Sequence, residues 1–96
     1  MAIGIIATLK IQDGKEADFE AVFRDLAKAV REKEPGNKLY QLCRSRADKS
    51  TYVVMEIYEN DAAVEDHRSS EHFRKLGAAM GPVLAGRPDV QHLDVV

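Results

Sequence analysis

The sequence predicts a single α+β domain of element order βαββαβ, built on a four-stranded antiparallel sheet. Three observations carry this reading. Apolar residues recur at period two in four separate runs, they recur at helical spacing between those runs, and 96 residues suffice for one core but not for a second lobe.

The first run, Ala2 to Ile11, places Ile3, Ile5, Ala7, Leu9 and Ile11 on one side, which is strand spacing. Asp13-Gly14 breaks it. Phe19, Val22, Phe23, Leu26 and Val30 then form the stripe of an amphipathic helix expected over about 15–33, with Glu20 and Arg24 as a supportive pair on its exposed side. Glu34-Pro35-Gly36-Asn37 ends that helix, because a proline disfavours helical geometry at the residue before it. Leu39 to Arg46 and Thr51 to Glu59 read as a hairpin. Two helical segments follow, Asp61 to Ser69 and Glu71 to Leu84, split at the cap site Ser69-Ser70, and Val90 to Val96 closes the sheet.

This is the ferredoxin-like order, with the helices in a single layer on one face of the sheet. The third strand nevertheless has two apolar sides: Val53, Met55 and Ile57 point one way, Tyr52, Val54 and Tyr58 the other. One helical layer covers only one set, so a homodimer packed through the free sheet face is expected.

Composition excludes several classes. Fourteen Lys and Arg against sixteen Asp and Glu, with no basic run, give no footprint for nucleic acid. No apolar stretch approaches the roughly 18 residues of a spanning helix, and the start Met-Ala-Ile-Gly lacks a charged leader, so no membrane partner and a cytoplasmic address are expected. Cys43 is the only cysteine, which rules out an intrachain disulfide. Glycine-rich nucleotide loops and the zinc-protease motif are absent, as is tryptophan, so neither a cofactor nor a metal is expected.

The candidate chemistry lies in a few side chains. His67 and His72 would diverge by about 140° on one continuous helix, but a break at Ser69-Ser70 changes that relation. His67 then stands in the last turn of one helix, where the dipole favours imidazolium, and His72 in the first turn of the next, where it favours the neutral base. A packing role for His67 and an exposed, inert His72 are the competing readings. Glu56, inward on a central strand, needs a partner; Arg44 or Arg46 on the neighbouring strand would supply an ion pair, and a pocket carboxylate is the alternative. Cys43 and His92 call for no special role.

The run Glu34-Pro35-Gly36-Asn37, then Tyr40, Glu56-Ile57-Tyr58, Ala62-Ala63, His67, Ser69-Ser70 and His72-Phe73 resembles the antibiotic biosynthesis monooxygenase domain over nearly the whole chain. The resemblance implies a dimeric α+β barrel made of two ferredoxin-like units joined through their sheets. It also implies a cofactor-independent monooxygenase acting with O2 on a small quinol, anthrone or related phenol. On that reading His67 or His72 is the base, and Glu56 orients a histidine or a substrate hydroxyl. Asn37, Tyr40, Tyr58 and Arg44 bind substrate. Members of the family also include haem degraders, which the residues at the matching positions, Ala7, His67 and Gly77, disfavour. Another member type is an isomerase of a phosphorylated signalling sugar, for which Arg44, Arg46, Arg68, Lys75 and Arg87 are candidate phosphate ligands. A non-catalytic ligand-binding barrel is the third alternative.

Overall fold

The computed structural model describes residues 1–96. Strand β1 spans Ile3–Lys10, helix α1 Glu16–Lys33, β2 Asn37–Arg44, β3 Thr51–Tyr58, α2 Asp61–Ser69, α3 Glu71–Met80 and β4 Asp89–Asp94. The strands pair antiparallel in the order β2-β3-β1-β4, which is the ferredoxin-like sheet expected from the element order. No helix is long and apolar enough to cross a membrane.

Local chemistry sets the boundaries. The Asp13-Gly14 turn uses a positive φ of 86° at Gly14, a conformation glycine adopts without steric cost. Strand β2 ends at Arg44, two residues earlier than the alternation suggested, because the Ser45 hydroxyl accepts from the backbone N–H groups of Ala47 and Asp48 and turns the chain. Helix α3 stops at Met80 and continues as a tight turn over Gly81–Val83, since Pro82 has no N–H for the next helical bond. Strand β4 is exposed throughout and is an edge strand.

One face of the sheet carries Ile3, Ile5 and Leu9 of β1 with Tyr52, Val54 and Tyr58 of β3, all buried under the helices. Phe19, Phe23, Leu26 and Val30 of α1 complete this core, Phe23 stacking on Tyr40 at 5.4 Å between ring centroids. The opposite face has no covering layer. Leu39, Met55 and Leu93 there are 39%, 41% and 50% exposed, so the two-sided apolar pattern of β3 leaves one side open.

Gly36 fixes how α2 lies against the α1–β2 turn. A Cβ at that position would stand 2.6 Å from the Ala63 Cβ, so only glycine permits the approach. The Gly36 carbonyl also accepts from the Glu59 N–H at 2.9 Å, which ties the end of β3 to the same turn.

Candidate functional site

Two cap residues aim the histidines. Asn60 accepts from the Ala63 N–H at 2.9 Å and starts α2. Ser70 adopts extended backbone and breaks the helix; its hydroxyl donates to the His67 carbonyl at 2.7 Å and accepts from the Phe73 N–H at 3.2 Å. The break swings α3 so that His72 turns back toward the end of α1. His67 and His72 therefore converge, which a continuous helix would have prevented.

What they converge on is Glu34, immediately beyond α1. His67 Nδ1 lies 3.1 and 2.9 Å from the two Glu34 carboxylate oxygens, and His72 Nε2 makes a short contact with Oε2. All three side chains are at most 10% exposed. Their ligating atoms lie within 4.8 Å of one another, a set of donors that a metal ion could use. As they stand, the carboxylate sits between the rings and both nitrogens bond to the same oxygen, so the contacts are hydrogen bonds. A carboxylate only accepts, which fixes the His67 proton on Nδ1 and leaves Nε2 as the basic nitrogen.

His67 also lines a cavity of about 610 Å³ between the sheet and helices α2 and α3, whereas Glu34 and His72 line a separate polar cleft at the α1–β2 turn. The His67 ring is flanked by Tyr40, Tyr58 and Phe73 at centroid distances of 5.5, 5.4 and 4.6 Å. Burial holds its pKa below the usual histidine value, against the opposing pull of Glu34. This corrects the expectation that His67 is the more readily charged ring: desolvation in the aromatic box outweighs the helix dipole.

Glu56 lines the same cavity, 8% exposed. The expected ion pair is absent, because Tyr40 stands opposite Glu56 in the sheet while Arg44 stands opposite Tyr52. Arg44 instead pairs with Glu20 at 3.5 Å, and Glu20 accepts from the Tyr52 hydroxyl at 2.5 Å. Left unpaired, Glu56 is pushed up to about 7, first by burial and then by the charge of Glu34. Burial likewise pushes the Tyr40 hydroxyl up, so it remains a hydrogen-bond donor at neutral pH.

Of the site residues expected from the sequence, His67, Glu56 and Tyr40 meet in the cavity, and His92, for which no special role was expected, lines it as well. His72 stands behind His67, across Glu34. Asn37 lines the outer cleft and donates to the Leu39 carbonyl. Tyr58 is fully buried beneath His67, its hydroxyl without a hydrogen-bond partner, and does not line the cavity. Arg44 lies outside it. Among the candidate phosphate ligands only Arg68 lines the cavity, joined there by Arg74. The sequence reading gave Glu34 no chemical role. Its signal was a carboxylate at a helix C-terminus, where the dipole disfavours negative charge and a compensating partner is required.

The family model described as antibiotic biosynthesis monooxygenase matches residues 2–79. The chain is 30% identical over 90 residues to a Bacillus subtilis (strain 168) protein named "Putative monooxygenase YcnE", covering 94% of this chain and 88% of that protein. A crystal structure described as a "putative antibiotic biosynthesis monooxygenase" from Caulobacter crescentus CB15 superposes with a TM-score of 0.97. It is 46% identical and covers 99% of this chain and 90% of that one. PA3566 from Pseudomonas aeruginosa superposes with a TM-score of 0.88 at 26% identity, over 99% of this chain and 94% of its own.

Proposed function

The chain belongs to the antibiotic biosynthesis monooxygenase family, and from that premise we propose that it is a cofactor-independent monooxygenase of a small quinol, anthrone or related phenol. One observation carries the proposal: a buried histidine, held through Nδ1 by a buried carboxylate, borders a largely apolar cavity. Triplet oxygen reacts sluggishly with closed-shell molecules, so the substrate itself must become an electron-rich anion. His67 Nε2 takes the phenolic proton, and Glu34 stabilises the imidazolium that results. Tyr40 and Glu56 hold the substrate oxygens, and the apolar walls keep water out. The balance closes without a reductant, the substrate supplying all four electrons in each case. In a phenol or anthrone a C–H para to the hydroxyl and O2 become a quinone carbonyl and water, and in a quinol a ring C–H and O2 give a hydroxyquinone and water.

The open sheet face supports a homodimer joined through it, because apolar side chains of β2, β3 and β4 would otherwise face water. The function is tested with an oxygen electrode on quinols, anthrones and sugar phosphates, with and without chelator. Oxygen uptake with a phenolic substrate, insensitive to chelator, is expected. Turnover of a sugar phosphate without oxygen uptake would instead identify an isomerase, and chelator-sensitive uptake would assign Glu34, His67 and His72 to a metal.

A further inference from the structure

We propose that the cavity selects an aromatic acid: a hydroxylated ring seated against Tyr40, Glu56 and His67, bearing a carboxylate that Arg68 and Arg74 hold at the mouth. The hydroxylated end rests on the monooxygenase reading above; the charged end does not.

The inner end of the cavity asks for a hydroxylated ligand. Tyr40 and Glu56 are cross-strand partners, 6% and 8% exposed, and both border the cavity. Unlike the sealed Tyr58 hydroxyl, neither is an orphaned buried group, so each is open to a partner from the cavity side. Polar groups this deeply placed are costly unless a bound molecule or water pairs with them. A hydroxyl accepts from Tyr40 and donates to Glu56, meeting both needs with one group.

The middle asks for an apolar ring. Ile5, Leu9, Val54, Phe73 and Met80 line it, and about 610 Å³ holds a one- or two-ring molecule. A small sugar phosphate has no apolar surface to place there.

The mouth asks for an anion. Arg68, in the last turn of α2, and Arg74, on α3, both line the cavity, and both are exposed. Glu65 lies three residues before Arg68 on α2 and Glu71 three residues before Arg74 on α3, each at helix-neighbour spacing. Neither guanidinium forms an ion pair, as is true of most surface arginines and lysines of this chain; what sets these two apart is that both border the cavity. Two unpaired guanidinium forks beside an apolar cavity suit a carboxylate, which accepts from a planar fork through both oxygens. The only carboxylate bordering the cavity is Glu56, on the sheet.

The test is anaerobic calorimetric titration of the full chain with dihydroxynaphthoate and with dihydroxynaphthalene, which differ only in the carboxylate. The acid is expected to bind roughly tenfold more tightly, the ratio falling as salt is raised, because exposed guanidinium charges are screened. In the Arg68→Gln/Arg74→Gln double variant the ratio is expected to fall to about one, while Lys75→Gln, a neighbouring charge loss outside the cavity, retains it. Equal affinities in the wild type, or a preference that survives the double variant, would overturn the proposal. So would tighter binding of ribulose phosphate than of either naphthalene. Arginine-dependent binding of the acid without oxygen uptake in air would leave the proposal standing and overturn the monooxygenase reading alone.

Discussion

His67 Nδ1 stands 2.9 Å from Glu34 Oε2 across the gap between the end of α1 and the last turn of α2. This bond determines which ring nitrogen is basic, and it supplies the negative charge that an imidazolium needs once His67 has taken a proton. His67→Ala is expected to lower kcat by about 10²–10⁴-fold, the usual cost of a lost general base. Glu34→Gln keeps the shape but removes the charge, so it is expected to lower kcat with little change in KM. Steady-state oxygen uptake measures both, and a KM-only effect in both variants would reduce the pair to a packing role.

His72 shares that carboxylate oxygen but lines the outer cleft and not the cavity. On the proposed reading it anchors Glu34 from outside the substrate cavity. His72→Ala is therefore expected to cost less than His67→Ala, about tenfold in kcat, and to leave the order His67 over His72 unchanged across substrates. The opposite order would return the base to the first turn of α3, where the helix dipole alone would put it.

The fold was legible because its signals are local. Ile3 to Leu9 alternate, Phe19 to Val30 recur at helical spacing, and Ser70 announces a cap, each within a few residues. The break at Ser70 was therefore readable, and with it the possibility that His67 and His72 meet. The carboxylate that joins them was not, since Glu34 is 33 residues from His67 and reaches it only because Gly36 lets α2 approach the turn. Register misled in the same way. Arg44 and Glu56 share a sheet face, but the bulge between Asn37 and Leu39 and the pairing that follows set Tyr40 opposite Glu56. A sequence shows which face a residue takes more readily than which residue it faces.

Met55 lies on β3 in the middle of the open face and is 41% exposed. If two copies join through that face, Met55→Lys buries a charge without a partner at the centre of the contact. Light scattering at micromolar concentration is expected to give a dimer for the wild type and a monomer for the variant, with the far-ultraviolet spectrum retained. A wild type that scatters as a monomer removes the dimer.

Glu56 and His67 give the protein opposing responses to pH. Burial holds the Glu56 carboxyl at about 7 against 4.5 for an ordinary glutamate. Between those values the folded chain keeps a proton that the unfolded chain has released, so stability from this group is fully present below pH 4.5 and lost as pH rises through 7. The loss at pH 8 is at most about 3.5 kcal/mol, at roughly 1.4 kcal/mol per pKa unit. For His67, burial disfavours protonation in the folded state, so its contribution is present above pH 6.5 and is lost as pH falls. Glu56→Gln removes only the first response. Urea denaturation from pH 4.5 to 8 is expected to show the variant gaining on the wild type as pH rises and remaining equally sensitive to acid. A gap independent of pH would mean that Glu56 is ionised at neutral pH in the folded chain, and it would then offer the substrate a carboxylate throughout that range.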